Sequence, residues 1–90
     1  MRLDLFLKAS RLILRRTLAQ EFCDAGRVKV NDIKAKSSRE VKELDEIEIR
    51  RNNRILKVRV VQVPNTKQVS KQTAANLYEV LEEILNEEFR

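Results

Sequence analysis

At Gly26, the only glycine among 90 residues, the spacing of the apolar side chains changes from a helical to a strand period. Upstream, Leu18, Ala19, Phe22 and Cys23 fall on one stripe at the i, i+3, i+4 spacing of a helix face. Downstream, Val28 and Val30 alternate with Arg27 and Lys29, the two-residue period of a strand with one buried face. Glycine enters the left-handed backbone region without a Cβ clash, so Gly26 is expected to close a helix and release the chain into a sheet. The pivot divides the chain into helices before it and strands after it.

The remaining elements follow from the same two periods. Leu3, Phe6 and Leu7 mark a short amphipathic helix over 3–9, and a second helix runs from about Arg15 to Ala25. Thr17 and Gln20 have the spacing of a capping box at its start. Asn31–Asp32 reads as a turn, with a brief strand over Ile33–Ala35 behind it. Ile47 and Ile49 alternate with glutamates, Asn52–Asn53 is a hairpin turn, and Ile55, Val58, Val60, Val61 and Val63 form a β-branched strand that Pro64 ends. Ala74, Leu77, Tyr78, Leu81, Ile84 and Leu85 fit one helical face, with Glu79, Glu82, Glu83, Glu87 and Glu88 on the solvent side. The expected fold is therefore α+β: two N-terminal helices on a small, mostly antiparallel sheet, plus a C-terminal amphipathic helix. The expected divisions are a domain over 1–64, a linker over 65–72 and the helix over 73–90.

Charge narrows the function. Charged residues make up 37% of the chain and the net charge is +5. Residues 1–64 hold 16 Lys/Arg against 9 Asp/Glu, while residues 65–90 hold 3 against 5. A basic body of this kind suits a polyanion. With no histidine and one cysteine, the usual zinc ligand sets cannot be assembled and the commonest general acid–base group is missing. The reading is a non-enzymatic chain without cofactor or metal. Apolar runs are far shorter than a membrane span needs, the N-terminus carries Arg2, Asp4 and Lys8, and one thiol cannot build a disulfide framework. A cytoplasmic location with no membrane partner is expected.

Lys8, Arg11, Arg15 and Arg16 lie within nine residues around the start of the second helix, and Arg27 and Lys29 follow on the outward side of the first strand. Arginine forks grip phosphate oxygens in a bidentate way, so a rigid surface bearing several of them can measure phosphate spacing in folded RNA. The bland alternative for such a cluster is a solvated face that keeps the protein dispersed. Cys23, Phe6 and Phe22 sit on apolar stripes and read as core. Tyr78 either covers the core or helps the tail dock elsewhere.

The residues Arg2-Leu3-Asp4, Arg16 and Ala19, Gly26-Arg27-Val28-Lys29-Val30-Asn31, then Val41, Asp45 and Ile47 carry a more specific signal. Over about residues 1–50 the chain resembles the S-four RNA-binding domain, also called the alpha-L RNA-binding motif. The runs Arg15-Arg16-Thr17-Leu18-Ala19 and Ala74-Ala75-Asn76-Leu77-Tyr78 make it similar to the small stand-alone RqcP-type members of that family, which serve bacterial ribosome-associated quality control. Two departures replace glycines that the family often has at turns: Asp32 after Asn31, and Leu44 before Asp45.

The resemblance implies a ribosome-associated factor that binds large-subunit rRNA and P-site tRNA on the dissociated large subunit; a monomer is expected because nothing in the sequence demands a dimer. There it would work with an RqcH-type factor that adds an untemplated alanine tail to the stalled nascent chain. By matching position it also implies that Arg2 and Arg16 are the leading RNA contacts, joined by Lys8, Arg11, Arg15, Arg27 and Lys29 from the basic cluster. Asp4 either orients Arg2 or Arg16 through a charge-assisted bond or is a carboxylate favoured by a helix N-terminus. Other readings are a heat-shock-type large-subunit recycling factor, against which the short acidic tail counts, and a protein–protein adaptor using the Leu77–Leu85 face. A fused RNA-modifying domain has no room in this length.

Overall fold

A computed structural model describes residues 1–85. Its elements, in chain order, are helix α1 (Leu3–Ala9), helix α2 (Arg16–Asp24), strands β1 (Val28–Val30), β2 (Ile33–Lys34), β3 (Glu46–Arg50) and β4 (Arg54–Val60), helix α3 (Lys71–Ala75), and strand β5 (Tyr78–Leu85). The strands form one antiparallel sheet in the order β2-β1-β3-β4-β5.

Alternation in the strands gives the sheet one apolar face. Val28, Val30, Ile47, Ile49, Val58 and Val60 point inward against Leu3, Phe6, Leu7, Ile13 and Ala19 of the helical layer. Leu77 closes the same core from beyond α3. Lys29, Glu46, Glu48, Lys57 and Arg59 lie on the other face, away from the helices. Among the described residues no helix is long and apolar enough to cross a membrane.

Gly26 does close α2, with φ +73°. Its N–H donates to the Cys23 carbonyl at 3.0 Å, and Arg27 N–H donates to the Phe22 carbonyl at 2.9 Å. These two bonds are those of a Schellman motif, which satisfies carbonyls that the helix end would leave bare. The capping box does not form: Arg15 is the residue before α2 and gives no side-chain cap, and Gln20 is engaged elsewhere.

Both turns that lack the expected glycine keep a glycine-type backbone. Asn31 and Asp32 have φ +52° and +69°, the signature of a type I′ turn, and Val30 pairs with Ile33 across it. Asn31 accepts Glu46 N–H at 3.0 Å and donates to Asp45 at 3.1 Å, tying this hairpin to the start of β3. Leu44 stands at φ +72° with its side chain 74% exposed.

The C-terminal helix expected over 73–90 is corrected. The helix is only α3, opened by Ser70, whose Oγ accepts Thr73 N–H, and closed at Asn76. Residues 78–85 are a strand along the edge of β4, and Glu87 and Glu88 lie outside the described residues. Two physical effects favour the strand. β4 would otherwise leave a row of backbone donors and acceptors open, and its cations match the acidic segment. Arg59 donates to Glu79 at 3.0 Å, Arg54 donates to Glu83 at 3.3 Å, and Lys57 stands opposite Glu82. The alternation is hidden in the sequence because the register shifts at Lys57/Val58, where Leu81 is the extra residue of a bulge.

Candidate nucleic-acid interface

The centre of the basic region is an acid. Asp4 lies in the first turn of α1 and has no exposed surface. Its Oδ1 accepts Arg2 Nε at 3.2 Å and Leu5 N–H at 2.8 Å. Its Oδ2 accepts Arg2 Nη2 at 3.2 Å, Arg16 Nε at 3.2 Å and Gln20 Nε2 at 2.9 Å. Burial alone would push the carboxyl pKa up. The bonds from Gln20, Arg16, Arg2 and Leu5 outweigh it and hold the group below its ordinary value. Asp4 is therefore an ionised carboxylate that fixes two guanidinium groups.

Arg2 and Arg16 keep 43% and 41% of their side-chain surface open. Among the described residues, Arg16 engages only Nε and leaves both terminal nitrogens without a partner. The inner edge of each fork is anchored and the outer donors face solvent, an arrangement suited to phosphate oxygens. Both positions depend on tertiary structure. Leu3 N–H donates to the Arg39 carbonyl and Asp4 N–H to that of Ser37, while α2 packs beside α1 to deliver Arg16 and Gln20.

The other expected contacts fall into separate groups. Lys8 and Arg11 line one groove with Lys67 and the exposed Leu14. Arg11 sits at φ +62° just past the end of α1 and donates to the Val69 carbonyl at 3.2 Å. Arg15 is exposed immediately before α2. Arg27 lies over the Phe22 ring at 5.5 Å, and Arg51 covers the same ring at 5.6 Å while donating to the Leu12 carbonyl at 2.8 Å.

Lys29 does not join the Asp4 group. It points from the helix-free face of the sheet and pairs with Glu48 at 4.0 Å. Of the one converging surface expected from the sequence, the structure brings together Arg2 and Arg16; Lys8 and Arg11 line a groove of their own, Arg27 lies over Phe22, and Lys29 is sent by alternation along β1 to the face opposite its valine neighbours. Sequence reasoning missed Gln20 and Arg51. An Arg50–Arg51 pair at the end of a strand was the available signal for the latter.

Cys23 is buried, and that burial, followed by the nearby charges of Asp4 and Asp24, pushes its thiol up to about 11. The thiol is protonated at neutral pH and chemically quiet.

Residues 1–47 match the family model described as S4 domain. The chain belongs to the S4 domain family. The matched span of this S4 domain contains α1, α2, β1 and β2, and with them Arg2, Asp4, Arg16 and the Gly26 turn. The chain is 48% identical over 88 residues to a Streptococcus pneumoniae protein named RQC P-site tRNA stabilizing factor, covering 98% of each chain. A Bacillus subtilis protein of the same name is 47% identical over 83 residues, 92% of this chain and 94% of that one. Among solved structures, Heat Shock Protein 15 of Vibrio cholerae, described as trimeric, superposes with a TM-score of 0.80 at 26% identity, covering 89% of this chain and 80% of that one. The solution structure of a hypothetical protein, HP1423, gives a TM-score of 0.80 at 33% identity over 91% of this chain and 98% of the other. Those two structures share the S4 domain arrangement of two helices against an antiparallel sheet.

Proposed function

We propose that this chain is a non-catalytic RNA-binding factor that holds P-site tRNA on the dissociated large ribosomal subunit during ribosome-associated quality control. The observation that carries the reading is the buried Asp4 carboxylate holding Arg2 and Arg16 with their outer donors free. Two guanidinium groups fixed in this way recognise phosphates at a set spacing, whereas flexible cations would bind any polyanion. The names of relatives similar over nearly the whole chain support tRNA as the ligand. Lys8, Arg11, Arg15 and Arg27 extend the contact along the backbone of rRNA or tRNA. The factor acts as a cytoplasmic, ribosome-bound monomer beside an RqcH-type partner, which performs the alanine tailing while this chain steadies the tRNA.

The heat-shock-type recycling role is the weaker reading, because the likeness to Heat Shock Protein 15 is carried mainly by fold, at 26% identity.

The test is co-sedimentation with large subunits bearing peptidyl-tRNA. Arg2→Ala and Arg16→Ala are expected to weaken binding strongly while circular dichroism shows a folded protein. Each should also flatten the dependence of log affinity on log salt by about one. Wild-type affinity that does not change between about 50 and 200 mM salt overturns the reading.

A further inference from the structure

The two edges of the sheet are built differently. The β2 edge is two residues long and basic, with Arg27, Lys29, Lys34 and Arg50 lining a groove beside it. The β5 edge is eight residues long and acidic, carrying Glu79, Glu82 and Glu83 and no cation. Its inner side pairs with β4 from Tyr78 to Leu85. On its outer side, no turn, loop or cap bond among the described residues reaches the backbone of 78–85. Donors and acceptors along that side stand open.

An open edge of this length is ordinarily guarded by lysine, proline, a bulge or a covering segment. Strand β5 has the bulge at Leu81 and its glutamates, and neither lysine nor proline. Its apolar side chains are uncovered as well. Val80, Leu81, Ile84 and Leu85 are 56%, 38%, 41% and 69% exposed, although Val80 stands opposite the fully buried Val58.

The acids select the occupant. A strand laid along the outer side has β5 as its neighbour at about 4.8 Å and β4 at about twice that distance, so the glutamates set the potential it meets. Glu79 and Glu83 bind Arg59 and Arg54 yet keep 54% and 44% of their side-chain surface open. Glu82 makes no ion pair among the described residues: it stands opposite Lys57, whose ammonium lies 3.6 Å from Asp32 and 3.5 Å from Glu46. A second copy of β5 would bring three more glutamates to the edge, a like-charge pairing that costs stability, and RNA phosphates would be repelled by the same carboxylates. A cationic strand meets neither penalty. On the inner side β4 displays the matching chemistry, with Arg54, Lys57 and Arg59 set among apolar residues.

We propose that the outer edge of β5 is a docking site for an extended, lysine- or arginine-bearing segment of a partner protein, which joins the sheet as a sixth strand. Backbone bonds give the attachment, and Glu79, Glu82 and Glu83 give its selectivity. None of the residues proposed to contact RNA, at the Asp4 hub or beyond it, lies on β5, so the inference stands independently of the RNA-binding reading.

The test titrates the full chain with a synthetic peptide of the β4 sequence, residues 54–60, and follows amide hydrogen exchange by NMR. The β5 amides that face away from β4 should become protected, and raising salt from about 50 to 200 mM should weaken the peptide. The same peptide with Arg54→Glu, Lys57→Glu and Arg59→Glu should leave those amides unprotected. In the protein, Glu82→Gln should weaken binding of the basic peptide several-fold with an unchanged melting midpoint, because Glu82 has no ion pair to lose. Absence of protection on β5, protection confined to other elements, equal binding of the two peptides or an unchanged affinity in Glu82→Gln overturns the docking site. Protection of the same amides without peptide, rising with protein concentration, assigns the edge to a second copy and overturns it too.

Discussion

Asp4 carries both structure and recognition. Its carboxylate is taken out of water, an unfavourable step that only a full set of donors offsets. Asp4→Asn removes the charge and turns an amide donor towards donors already present. A loss of about 2 kcal/mol in unfolding free energy is expected, measured by urea titration. The effect has a definite pH window. Because the folded pKa lies below the ordinary 3.8, the contribution is complete above that value and disappears as pH falls through the folded pKa. Wild type should therefore lose stability towards acid more steeply than Asp4→Asn, and parallel curves would show that the carboxylate is not the titrating group. The hub was partly legible in the sequence: the Arg2–Asp4 spacing and Arg16 stand out as residues. Gln20 did not, since a glutamine on a helix surface gives no sign of reaching a carboxylate sixteen positions away. Arg51 is similar, because its bond to the Leu12 carbonyl exists only once β3 is folded against the connection between the helices.

The left-handed positions test how the elements begin and end. Gly26→Val should destabilise by about 1 kcal/mol or more, because a β-branched residue is forced to positive φ where the Schellman bonds depend on it. Leu44→Gly should do the reverse. It relieves roughly 1–2 kcal/mol of backbone strain against an entropy cost of about 0.5–1, a net gain of about 0.5–1 kcal/mol, and its exposed side chain gives up little burial. Thermal melts of the pair should move in opposite directions. Helices α1 and α2, the I′ turn and the β3–β4 hairpin were all readable from period and punctuation, because each is specified by contacts near in sequence. The last strand was not. Leu77, Leu81, Ile84 and Leu85 satisfy a helical period, and the bulge at Leu81 breaks the two-residue alternation that would have competed with it. What decides between them is the charge row on β4, twenty or more residues away.

Across the whole molecule, basic groups are separated by what lies beneath them. The hub stands on packed helices, the groove at the β1–β2 edge stands on a short hairpin, and the face between β3 and β5 is balanced in charge. The strands of the sheet are joined by long-range pairing, and the start of the chain is tied down as well: Arg2 bridges to Glu40, the Met1 ammonium pairs with Glu40 at 3.0 Å, Val41 N–H donates to the Met1 carbonyl at 2.9 Å and Leu3 N–H to that of Arg39 at 2.7 Å. A terminus tied down in this way, beside the fully buried Leu3 and Phe6, opens only with the core it is packed on. On warming, RNA affinity is expected to fall together with global unfolding seen by circular dichroism. A loss of affinity well below that midpoint would show that the terminus opens by itself. The shared carboxylate thus makes recognition conditional on architecture: a chain whose two helices have not yet met carries all of its arginines but has no ruler with which to read a phosphate ribbon, and so discriminates only after it has finished folding.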